Sequence, residues 1–181
     1  MGSATEPDAA AAEQTTVDVA LFAEVCTKAD LVWVSVADLP ERALWHVWLD
    51  GAVAVVTGGR EQPNPGWVDG QVVHIVARSK DKLARVATAK AEAELISPTS
   101  EQWQTVAGAL HPKRLNASDG EAQIARWKQE SSLWLLRPTG EFVEGSGGYS
   151  AESHRAAPRL SDATTDKQRP FHFGRATRKR R

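Results

Sequence analysis

Residues 44–57 read Leu44-Trp-His-Val-Trp-Leu49, then Asp50-Gly51, then Ala52-Val-Ala-Val-Val-Thr57. Two runs of apolar, β-branched and aromatic residues flank an Asp-Gly pair, and both turn positions tolerate the positive φ that a two-residue hairpin requires. This stretch predicts a β-hairpin. Alternation along its first strand puts Trp45 and Val47 on one face and His46 and Trp48 on the other, and one of those faces must be core.

Upstream, Leu31-Val-Trp-Val-Ser-Val36 predicts another strand. A short helix precedes it, capped by Thr15 or Thr16, with Val17, Leu21 and Val25 at helical spacing and Phe22 widening the stripe. Downstream, Gln71-Val-Val-His-Ile-Val-Ala77 reads as a fourth strand. In residues 83–96, LARVATAKAEAELI, Ala, Lys and Glu favour helix by propensity. The pattern opposes this, because from Ala87 to Leu95 apolar residues hold every odd position and Thr88, Lys90, Glu92 and Glu94 the even ones, which is the period of a half-buried strand. Thr99 with Gln102 forms a capping box for a helix presenting Trp103, Val106, Ala107 and Leu110. Ser118 with Glu121 starts a second helix carrying Ile124 and Trp127, and a last strand, Ser132–Arg137, is halted by Pro138. One helix, five strands, two helices and one strand, with short early connections, predict an antiparallel barrel and not an alternating parallel sheet.

The 181 residues, 41% apolar and 25% charged, suit one globular domain. Residues 1–15 lack an apolar period and are expected to be a disordered leader; 16–144 form the folded domain; 145–181, rich in Gly, Ser, Ala and Pro, form a disordered basic tail. The net charge of −1 hides an asymmetry: residues 151–181 hold nine Lys/Arg against three Asp/Glu, a surplus of six, so the first 150 carry −7. No membrane span or export signal is present, and a single cysteine, Cys26, suits a reducing compartment, so the expected location is cytoplasmic.

No G-x-G-x-x-G or G-x-x-x-x-G-K-[ST] occurs in a phosphate-binding context, which disfavours Rossmann and P-loop chemistry. The five histidines lack compact ligand spacing, so no metal is expected, and no G-x-S-x-G elbow supports a hydrolase. Two segments at strand ends concentrate donors instead. In Thr57-Gly58-Gly59-Arg60-Glu61-Gln62, paired glycines would let backbone amides approach a ligand and Arg60 offers a planar fork for phosphate. Arg78-Ser79-Lys80 adds two cations and a hydroxyl; if the two strand ends adjoin, they form a phosphate pocket. The competing reading of both is a Gly-Gly turn and solvated charges. Trp45, His46 and Val47 would supply aromatic surface for a planar heterocycle, or simply core. Lys113 and Arg114, after a helix end, either answer its C-terminal dipole or reach a ligand in a neighbouring subunit.

Taken in order, Trp45-His46-Val47-Trp48, Val55-Val56-Thr57-Gly58-Gly59 with Glu61-Gln62-Pro63, Arg78-Ser79-Lys80, and Lys113-Arg114-Leu115-Asn116 through Asp119-Gly120-Glu121 to Arg126-Trp127 resemble the pyridoxamine 5′-phosphate oxidase-like, FMN-binding superfamily, in its uncharacterised actinobacterial branch. The resemblance spans about residues 17–140. It implies a mainly β, α+β fold: a six-stranded antiparallel split β-barrel with flanking helices, forming a homodimer with cofactor between subunits. It also implies an FMN- or deazaflavin-dependent oxidoreductase acting on a small molecule, or a non-catalytic flavin- or haem-binding sensor. By position, Thr57, Gly58, Gly59 and Arg60 would meet the ribityl phosphate, and Arg78, Ser79 and Lys80 a later strand-end contact. Val56 replaces a frequent aromatic residue, and the pyridoxal phosphate signature at the C-terminus is absent, the chain ending in RATRKRR. That end, with Phe171 and Phe173 before Arg175, Arg178, Lys179, Arg180 and Arg181, would contact nucleic acid or another polyanion, or merely solubilise the chain.

Overall fold

The computed structural model describes residues 6–80, 84–117 and 119–145. In chain order these form α1 (Glu6–Lys28), β1 (Leu31–Ser35), β2 (Arg42–Trp45), β3 (Val47–Leu49), β4 (Ala52–Thr57), β5 (Val72–Arg78), β6 (Arg85–Leu95), α2 (Glu101–Leu110), a 3-10 turn (His111–Lys113), α3 (Ala122–Glu130) and β7 (Ser132–Glu144). The predicted hairpin is present: Leu49 faces Ala52 across a turn in which Asp50 and Gly51 have φ of 47° and 77°. Pattern prevails over propensity in β6, whose alanines 87, 89, 91 and 93 are all buried. Leu95 points out, and Ile96 takes the buried place instead.

The described strands number seven, not the expected six, because the run 42–49 breaks at His46. Its first half pairs with β1 and its second with β4. The sheet order is β2-β1-β5-β6-β7-β4-β3, so a single covalent run joins both edges and the sheet nearly closes into a barrel. Closure leaves few edge groups unpaired. All contacts between neighbouring strands are antiparallel.

Two cores follow from the alternation of β4, buried at every position. Val53 and Val55 point into the barrel with Val32, Val34, Ile75 and Leu136, where Phe22 and Cys26 of α1 join them. Ala52, Ala54 and Val56 point outward beneath Trp103, Val106 and Leu110 of α2 and Trp127 of α3. Trp48 packs with the first core and meets Phe22 edge-on at 6.0 Å, while Trp45 and Val47 pack with the second, so both faces of this short run are used.

Four local expectations are corrected. The first helix begins at Glu6, not Thr15 or Thr16, which places residues 6–15 of the expected leader in helix; the Ala9–Ala12 run and a proline in the first turn explain the early start. Its inward face is Asp18, Phe22 and Cys26, with Val17 51% exposed. The cap of α2 is Ser100, whose hydroxyl accepts from the Trp103 amide at 3.2 Å, one residue after the predicted Thr99. The last strand passes Pro138 and continues to Glu144. The proline is tolerated because β4 pairing ends at Leu136 and the register against β6 shifts nearby, so the ladder loses little by the missing N–H. Ser118 and residues 146–181, including most of the expected tail, lie outside the described residues. No helix among the described residues is long and apolar enough to cross a membrane.

Candidate functional site

The break at His46 creates a groove of about 540 Å³. Its walls come from the end of α1 and the start of β1 (Cys26 to Leu31), from Trp45, His46, Val47 and Trp48, and from the segment after α2 (Pro112 to Leu115). A second hollow of about 280 Å³ shares Ala29, Asp30 and Leu31 with it and adds Trp33, Arg78, Ser79 and Lys80. Eight of the twelve residues nominated from sequence therefore line two adjoining spaces: Trp45, His46, Val47, Lys113 and Arg114 the first, and Arg78, Ser79 and Lys80 the second.

On the groove floor His46 is 6% exposed and donates from Nε2 to the Cys26 carbonyl at 2.8 Å. The carbonyl can only accept, so Nε2 carries the proton and Nδ1 is the bare nitrogen, with no partner among the described residues. Burial drives the imidazole below its ordinary range, outweighing the Cys26 carbonyl and Asp30, and keeps the ring neutral. Burial likewise pushes the Cys26 thiol up to about 12. Lys113 is exposed at the groove wall.

In the second hollow the Arg78 guanidinium lies 4.8 Å from the centre of the Trp33 ring and 3.9 Å from Glu41. Arg78 Nε and Ser79 Oγ are buried without partners among the described residues. Lys80 pairs with Asp30 at 3.3 Å, both largely in solvent.

Thr57, Gly58, Gly59 and Arg60 line neither space. The Thr57 hydroxyl is buried and accepts from the Trp134 indole N–H at 3.0 Å. The Gly58 amide donates to the Gln62 carbonyl at 3.0 Å. The glycines are needed by the fold: Gly59 has φ of 59°, and a Cβ there would stand 2.9 Å from the carbonyl oxygen of Glu130 at the end of α3. Arg60 is exposed, and its charge acts on Asp119. No hydrogen bond or ion pair joins this loop to residues 78–80 among the described residues; it backs the groove instead of lining it.

That backing is what sequence reading missed. Gln62 clamps the strand break, its Nε2 donating to the Trp45 carbonyl and its Oε1 accepting from the Trp45 amide, each at 2.9 Å. The Glu61 carboxylate is fully buried and accepts from Arg114 Nε at 2.6 Å, Trp127 Nε1 at 2.9 Å and Arg126 Nη2 at 3.0 Å. Burial alone would raise the Glu61 carboxyl, but the hydrogen bonds from Trp127, Arg126 and Arg114 outweigh it and hold the group below its ordinary value. Asp119 secures Arg126 from the far side. The signal was the co-occurrence of an acid in a glycine turn with a distant Arg-Trp pair, which no short motif encodes.

No family model and no curated protein matches the chain. Three chains of solved structures match it, two of them as follows. HutZ, the haem storage protein from Vibrio cholerae, is 17% identical, with 64% of this chain and 85% of that one covered at a TM-score of 0.46. A protein described as general stress protein 26 from Jannaschia sp. is 12% identical, with 72% of this chain and 74% of that one covered at a TM-score of 0.41.

Proposed function

We propose that the groove holds a planar, anionic cofactor, phosphorylated FMN before deazaflavin or the carboxylate-bearing haem, and that the chain acts as a homodimeric oxidoreductase on a small molecule. The observation that carries this reading is the adjoining of an aromatic, apolar groove (Leu31, Trp45, Val47 and Trp48) to cations at two distances, Lys113 and Arg114 within it and Arg78 and Lys80 in the next hollow. A flat ring system suits the first space and an anionic substituent suits either set of cations. The residues present fit such a group, with one change from expectation: Thr57 and the Gly58 amide are already engaged within the fold, so Lys113, Arg114 and the 78–80 segment are the phosphate donors.

A bound flavin supplies hydride or electron transfer. The chain orients the ring, excludes water from one face and neutralises the phosphate. It offers no ready proton shuttle on the groove floor, since His46 is held neutral with its N–H given to a carbonyl, and the Cys26 thiol stays protonated at physiological pH. This inertness favours a second reading, a flavin- or haem-binding sensor without turnover. The absorption spectrum of the purified protein, before and after adding FMN, deazaflavin and haem, tests the site: a flavin band or a Soret band appears, and Lys113→Ala weakens FMN by about 1.5–3 kcal/mol. A protein that takes up none of the three overturns the reading. Reduction of the bound flavin by a nicotinamide donor separates enzyme from sensor. The basic segment 171–181 is proposed to contact a polyanion, and truncation after Pro170 should abolish salt-sensitive binding to one.

A further inference from the structure

We infer that Glu61 is a positioning residue, which holds the Arg114 guanidinium in place as a preorganised anion donor for the groove; this rests on the reading that the groove takes an anionic cofactor. A buried carboxylate is costly unless its oxygens are satisfied, and two donors from α3, Arg126 Nη2 and Trp127 Nε1, already satisfy one of them, Oε1. The remaining oxygen, Oε2, accepts from Arg114 Nε at 2.6 Å. Arg114 also donates through Nη1 to the carbonyl of Leu115. Two of its three nitrogens are thereby fixed and its plane is set, while Nη2, which makes no hydrogen bond among the described residues, is left as the donor for a ligand in a groove that Arg114 itself lines. A planar fork fixed before binding loses less freedom when it meets phosphate than a free one does. Glu61 reaches no groove surface, its side chain being 0% exposed, so it acts through Arg114 alone.

The test compares the wild type with Glu61→Gln in two ways. In the free protein, the arginine Nε–H resonances report which guanidinium is held. Glu61→Gln should abolish the exchange protection of Arg114 and spare Arg126, whose Nε donates to Asp119. In titrations with FMN and with riboflavin, which lacks the phosphate, Glu61→Gln should weaken FMN about tenfold and riboflavin less than about twofold, as expected for loss of a charge-assisted contact. Adding Arg114→Ala should then cost no more than Arg114→Ala alone, because the two residues act as one unit. An unchanged Arg114 resonance, or equal weakening of both flavins, overturns the inference. If the wild type binds neither flavin, the cofactor reading fails, and the resonance alone decides: protection lost with Glu61 upholds the positioning, and protection kept refutes it.

Discussion

The loops that leave β4 and β5 look alike in sequence, each a short polar segment with arginine beside small or hydroxylated residues, yet the fold uses them oppositely. After β4, the buried donors and acceptors are spent inside the protein, Thr57 on Trp134, Glu61 on Arg114, Arg126 and Trp127, and Gln62 on Trp45, and Arg60 stays exposed. After β5, the Arg78 Nε and Ser79 hydroxyl have no partner among the described residues, and Lys80 is held by one exposed ion pair. A saturated loop is scaffold; one with buried donors lacking partners among the described residues is where the proposed ligand would find them, since buried polar groups seldom remain unsatisfied without cause.

Glu61→Ala should break this contrast most severely. It takes the acceptor from the indole N–H of Trp127 and from two part-buried arginines, leaving Arg126 to Asp119 and Arg114 to the Leu115 carbonyl, and should cost about 3 kcal/mol in chemical denaturation. The pH dependence has a definite sign. Because the folded carboxyl is held below its ordinary value of 4.5, its contribution is complete above that pH and is lost as pH falls through the depressed value, so wild type and variant should converge in acid. Thr57→Val is the intermediate case: it removes the acceptor of the Trp134 indole, should cost about 1–2 kcal/mol, and should leave FMN affinity unchanged. An affinity loss there would return the β4 loop to the ligand site. Lys80→Ala should have the smallest effect on stability, below about 0.5 kcal/mol by thermal denaturation, because its partner is solvent-exposed. It should still weaken FMN, and a result without that weakening would make the two loops equivalent after all.

Much of the barrel was readable because its determinants are local or periodic. Asp50-Gly51 specifies its own turn, and the alanine alternation of β6 outweighs helix propensity because one face must be buried. The break at His46 was not readable, since its cause is tertiary: the same run must pair with β1 on one side and β4 on the other. At the site, the groove residues 45–47 and 113–114 were legible as aromatic and cationic clusters. The role of residues 57–62 was not, because Glu61 meets Arg126 across 65 positions of sequence, and the identity of a partner so far away is invisible to any local pattern.

The position of β4 between β7 and the edge strand β3 also governs how the molecule must assemble. On the side away from β3 it pairs with β7, and Trp134, which caps Thr57, follows it by 77 residues. During synthesis a strand destined to be buried at every position therefore emerges long before its neighbour exists. The hairpin partner β3 covers only half of it, and folding should be slow and prone to intermolecular pairing until the final strand arrives to shut the ring.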